Sequence, residues 1–103
     1  METAAAPMVH QIEDLLQDSS STLAHVEDTL TEGYAKALAL EAERLRIERR
    51  LEEMARTATA EQSDELRTLG RRLGTADGEI RRLRSLLGSL HDRARVMRAA
   101  SAG

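Results

Sequence analysis

Across residues 66–97 the chain places an apolar residue at the first and fourth positions of every seven. The first positions hold Leu66, Leu73, Ile80, Leu87 and Ala94, and the fourth hold Leu69, Ala76, Leu83, Leu90 and Met97. The same spacing runs earlier through Val9, Ile12, Leu16, Leu23, Val26, Leu30, Ala37, Leu40, Ile47, Leu51, Met54 and Ala58, interrupted at Ser19, Gly33 and Arg44. A repeat of about 3.5 residues keeps one seam facing a neighbouring helix over many turns. The pattern therefore predicts an all-α protein of two long helices, each built to pack on another helix.

Residues 1–7, with three alanines and no periodic partner, read as a disordered arm, with Pro7 tolerated at a helix start. The first helix is expected over residues 8–56, the turn over 57–60, the second helix over 61–99, and a disordered tail over 101–103. Within the first helix, Asp18, Ser19, Ser20, Ser21 and Thr22 form the weakest point, because short polar side chains compete for backbone groups and favour caps. The frame nevertheless passes from Leu16 to Leu23 without a shift, which favours one continuous helix. Thr59 followed by Glu61 and Gln62 has the form of a capping box opening the second helix. So short a connection reverses the chain into an antiparallel coiled-coil hairpin that sets Leu51 opposite Leu66 and Leu23 near Ala94.

Charge supports that direction. Seven acids and no Lys or Arg occupy the first 35 residues, whereas Arg81, Arg82, Arg84, Arg93, Arg95 and Arg98 cluster near the other end of the chain. Antiparallel pairing sets the two groups face to face, and parallel pairing of two copies would stack like on like.

At about 1.5 Å per residue the first helix would span ~73 Å and the second ~58 Å. The excess carries Val9, Ile12, Leu15 and Leu16, which a lone hairpin would leave bare. Tyr34, Leu38 and Leu45 form a second apolar set beside the main seam. Two helices cannot cover both surfaces, so the expected assembly is a homodimer of hairpins making a four-helix bundle, with Tyr34, Leu38 and Leu45 as the partner-binding patch.

Gly70, Gly74 and Gly78 recur every fourth residue, at a cost of about 1 kcal/mol each relative to Ala in a helix interior. The register from Leu73 through Ala76 to Ile80 favours one weakened but continuous helix, with a break at residues 74–78 as the alternative. Gly33 should leave a small notch beside Tyr34. Arg44, at a core position near Gly74, is expected to lay its stem over apolar neighbours and pair with Glu41 or Glu48.

Composition removes most other functions. The chain has 103 residues, one Tyr, no Phe, no Trp and no Cys, so it lacks the usual filling of a globular core and any thiolate site. No stretch reaches the ~20 apolar residues of a membrane span, and no basic segment precedes an apolar one as in a secretory signal. A soluble cytoplasmic protein is the expectation. His10 has Glu13 and Asp14 one turn on and His25 has Asp28, but neither pair finds a third ligand cluster, and His91 beside Asp92 reads as solvent-facing. No catalytic, cofactor or metal site is expected. The arginines of the second helix could bind phosphate backbones. Against this stand a formal charge of −3 and a single tyrosine for stacking.

The segment TLTEGYAKALALEAERLRIERRL, residues 29–51, resembles short, arginine-rich, uncharacterised helical proteins of GC-rich bacteria, a likeness that implies helices and no activity. The fourteen-to-one excess of Arg over Lys points to the same kind of source. Size and hairpin shape are also similar to those of small secreted helical-hairpin proteins, whose Trp-x-Gly turn is missing here. The functional expectation is a non-enzymatic coiled-coil module acting as adaptor, scaffold or chaperone-like factor, with a second copy and an unidentified protein as partners. The alternative is an accessory nucleic-acid binder using the arginine-rich second helix.

Overall fold

The computed structural model describes residues 4–57 and 59–102, and all of its regular structure is helical. α1 spans Ala6–Gln17, α2 spans Leu23–Thr57, a single 3-10 turn covers Ala60–Gln62, and α3 spans Ser63–Ala102. α2 and α3 lie side by side and antiparallel: Gly33 meets Leu87 near one end, and Arg50 reaches Glu65 near the other. Both pairs fall within about a turn of the register read from the heptads. At the reversal, Gln62 Oε1 accepts a hydrogen bond from the Thr59 backbone N–H at 3.2 Å. The expected turn over 57–60 includes Ala58, which lies outside the described residues.

The expected single helix over 8–56 does not form. It breaks at residues 18–22, and α1 folds back along the α2–α3 pair, parallel to α3, with Glu13 reaching Arg82 and the end of α1 reaching Arg93. The break is built from several capping groups. Asp18 Oδ1 accepts hydrogen bonds from the Ser20 backbone N–H (2.9 Å) and hydroxyl (2.6 Å). Thr22 Oγ1 accepts from the His25 backbone N–H at 3.1 Å and so caps α2. Arg93, on α3, donates to the carbonyls of Leu15 (3.0 Å), Leu16 (2.8 Å) and Asp18 (2.5 Å) and so caps the C-terminal end of α1, where the Asp18 N–H also donates to Leu15 O.

Folding back corrects the overhang expectation. Ile12 and Leu15 are buried and Val9 and Leu16 half-buried, all against their own chain. The long dimension is 65 Å, shorter than the uninterrupted first helix would need. The flanks differ as well. Ala5 is buried and α1 already includes Ala6 and Pro7, while residues 1–3 of the expected arm lie outside the described residues. α3 continues through residues 101 and 102 of the expected tail, and Gly103 lies outside.

α3 is unbroken through residues 74–78, as its register favours. Arg44 and Asp77 form an ion pair across the α2–α3 seam, and Arg44 also pairs with Glu48 at 3.3 Å, whereas Glu41 pairs with Arg84. The pair divides the core. One buried cluster gathers Ile12, Leu15, Val26, Leu30, Ala37, Leu40, Leu83, Leu86, Leu87, Leu90 and Ala94 at the three-helix end, and the other gathers Ile47, Met54 and Leu69 at the two-helix end. The hydrogen bond to Asp77, reinforced by its charge, raises the Arg44 guanidinium above its ordinary pKa.

Gly33 sits where all three helices meet. A Cβ there would stand 2.5 Å from Leu87 Cδ2 and 3.6 Å from Ile12 Cδ1, so the expected notch is the space those side chains fill. At Gly70, Gly74, Gly78 and Gly88 a Cβ would meet nothing within 4 Å. Substitution by Ala should therefore act with opposite signs. At each of the four open positions it should add up to about 1 kcal/mol of stability, through helix propensity alone. At Gly33, crowding of ~1–3 kcal/mol should outweigh that gain and leave a net loss. Urea denaturation of the five single variants, read by helical circular dichroism, measures both.

Asp18 supplies a pH signature. The Ser20 hydroxyl, then the Ser20 N–H, hold its carboxyl below the ordinary value of 3.8, opposed by slight desolvation and assisted by Ser21 and the Arg93 charge. A depressed folded-state pKa gives stability that is present above the unfolded value and lost as pH falls through the folded one. Acid titration below about pH 4 should thus cost the wild type stability that Asp18→Asn lacks at every pH.

Candidate interaction surface

Tyr34, Leu38 and Leu45 are separated by four and seven residues on α2, spacings that return to one side of a helix. The structure leaves all three exposed, at 36%, 62% and 43%. Ala42, also exposed, lies between Leu38 and Leu45 on the same stripe, which runs about 17 Å along the axis. Leu38 is five residues beyond Gly33, about 140° around a helix of 3.6 residues per turn. The stripe therefore looks away from the side of α2 that receives Ile12 and Leu87. Its isolation follows from the heptad frame: α3 fills the seam, α1 covers one flank, and this flank faces solvent. Val96, the other large exposed apolar residue among the described residues, belongs to α3 two positions from Arg98, which pairs with Glu27 about three turns before Leu38.

Sequence reasoning overlooked the flank that α1 covers. Thr29 is 1% exposed and Leu86 7%, and each directly precedes a seam residue, Leu30 or Leu87. Leu15 precedes Leu16 in the same way and is also buried. These residues widen a two-position stripe to three, and that width was the available signal for a third helix. Beyond the N-terminal end of α1, at Ala4, its groove continues as an open trough of about 520 Å³ lined by Leu40, Ile47, Thr68, Arg72 and Thr75 among others.

The arginines read as a possible phosphate-binding face are largely engaged within the chain. Arg82 pairs with Glu13 (3.4 Å), Arg84 with Glu41 (2.8 Å) and Arg98 with Glu27 (3.1 Å), while Arg93 caps α1. Arg81 and Arg95 are exposed. His10, His25 and His91 are exposed, and among the described residues no three His, Asp or Glu side chains gather in a metal-holding group. No helix among the described residues is long and apolar enough to cross a membrane. Comparison with protein-family models, curated proteins and solved structures finds no match to this chain.

The two flanks should respond differently to substitution. Leu38→Glu, on the exposed stripe, should change stability by no more than about 0.5 kcal/mol. Leu86→Ala should cost ~2–5 kcal/mol, because it opens a cavity beneath α1. Thermal and urea denaturation of the dilute chain compares them.

Proposed function

We propose that this chain is a non-enzymatic helical interaction module that associates with a second copy, and with a further protein, through the outer face of α2. The observation that carries the reading is Leu38, 62% exposed at the centre of a stripe whose neighbours Tyr34 and Leu45 are also apolar and exposed. A leucine held this far into water gains free energy when another surface covers it, at about 25 cal/mol per Å² of apolar area removed. The stripe is continuous, straight and borne on a long helix, the form in which helical modules present apolar anchors. Pairing of two such faces about a two-fold axis would bring the α2–α3 pairs of two copies together as a four-helix arrangement. The overhanging first helix no longer supports this assembly, since α1 is satisfied within its own chain.

Two features favour an interaction role over catalysis. The three histidines are exposed and lie far apart along the chain, and Glu13, Glu41 and Glu27 are held by arginines. Sedimentation tests the self-association. Wild type should shift towards dimer with concentration, while L38E/L45E should stay monomeric with unchanged helical circular dichroism. A wild type that stays monomeric at every concentration removes the homodimer from the reading. Affinity capture from the native host with wild type and L38E/L45E as baits then tests the further partner, which should be retained by wild type only.

A further inference from the structure

The break between α1 and α2 lies inside a heptad frame that does not break. Leu16 and Leu23 are seven residues apart, and Ile12 and Val26 are fourteen apart, so a helical conformation of residues 18–22 would join α1 and α2 into one rod with a single apolar stripe. Only Ser19 interrupts the stripe there. In such a rod α1 would project past the end of α3, because Glu27 already lies against Arg98 and α3 ends at Ala102. Its own chain could no longer cover Ile12 and Leu15, and the groove it left would bare Thr29, Leu83, Leu86, Leu87 and Leu90.

We propose that α1 is an exchangeable arm: in a second conformation residues 18–22 straighten, and α1 of one copy occupies the α2–α3 groove of another, reciprocally. The occupant is identified by the groove itself, which in this structure is filled by α1 with Ile12 against the Gly33 position and Glu13 on Arg82. A second copy offers the same helix, in the same direction, to the same residues. Exchange of an identical element conserves the docked contacts, so the balance rests on the hinge. Folding back is favoured by the Asp18, Thr22 and Arg93 hydrogen bonds. Straightening is favoured by the helical hydrogen bonds that residues 18–22 would gain. This interface is separate from the outer face of α2 and does not rest on it.

The test is refolding of the full chain from denaturant at high and low concentration, followed by sedimentation. S19L/S20A supplies the missing seam leucine and a better helix former at the hinge, and Arg93→Ala removes bonds available only to the folded-back arm. Each should strengthen dimerisation by about tenfold or more over wild type. Dimers formed from S19L/S20A chains carrying Glu13→Cys mixed with S19L/S20A chains carrying Arg82→Cys should link between chains through a short thiol-reactive cross-linker. The same dimers should persist when L38E/L45E is added. If Arg93→Ala does not fold, S19L/S20A alone carries the judgement. Folded S19L/S20A that stays monomeric overturns the proposal. So does a dimer that shows no link between Glu13→Cys and Arg82→Cys chains, or one that L38E/L45E dissolves.

Discussion

The architecture depends on the width of the apolar face on α3. Leu83, Leu87 and Leu90 would suffice for a seam with one neighbouring helix, but Leu86 beside Leu87 carries the face past the reach of α2. Water against that flank is removed when α1 lies down on it, burying Leu86 together with Ile12 and Leu15. Burial of such side chains supplies roughly 1.5–3 kcal/mol each, enough to offset the ordering of a short helix that would be marginal alone. Where the face narrows, beyond the Arg44–Asp77 pair, two helices suffice and the core continues as Ile47, Met54 and Leu69.

Polar groups decide how the helices connect and in which direction they run. Arg93 serves as a detached C-cap, carrying its guanidinium from α3 to three carbonyls at the end of α1. Around it Asp18 and Thr22 turn the chain, so that a serine-rich stretch unfavourable inside a helix becomes a stop and a start. Arg50, Arg72, Arg82, Arg84 and Arg98 meet acids across helix boundaries with both partners exposed to solvent. Such pairs contribute little individually and act mainly by penalising wrong registers. Arg44 and Asp77 also interrupt the apolar seam, which fixes the α2–α3 alignment at the expense of a continuous core.

The two surfaces proposed for association differ in kind. The outer face of α2 is uncovered in the folded chain, and any partner for it comes from another molecule. The groove under α1 is covered already, and becomes available only when the arm leaves. The two proposed modes of association therefore use separate residues.

Much of this was legible in the chain. The heptads gave the seam between α2 and α3, the short connection and the charge distribution gave its direction, the capping pattern at Thr59 and Gln62 marked the reversal, and the register through Leu73, Ala76 and Ile80 gave an unbroken α3 despite its glycines. The positions of Tyr34, Leu38 and Leu45 outside the seam gave the exposed stripe. These features are periodic or local, set by residues within a turn or two of one another. The break at residues 18–22 was not legible, although the polar cluster there marked it as weak. A continuous heptad frame is compatible with a straight rod and with a folded-back arm, and local propensity does not choose between them. The choice was made by Arg93, 75 residues away from Asp18, and by the leucine flank that α1 covers. Only the packed structure brings a guanidinium from one helix to the carbonyls at the end of another.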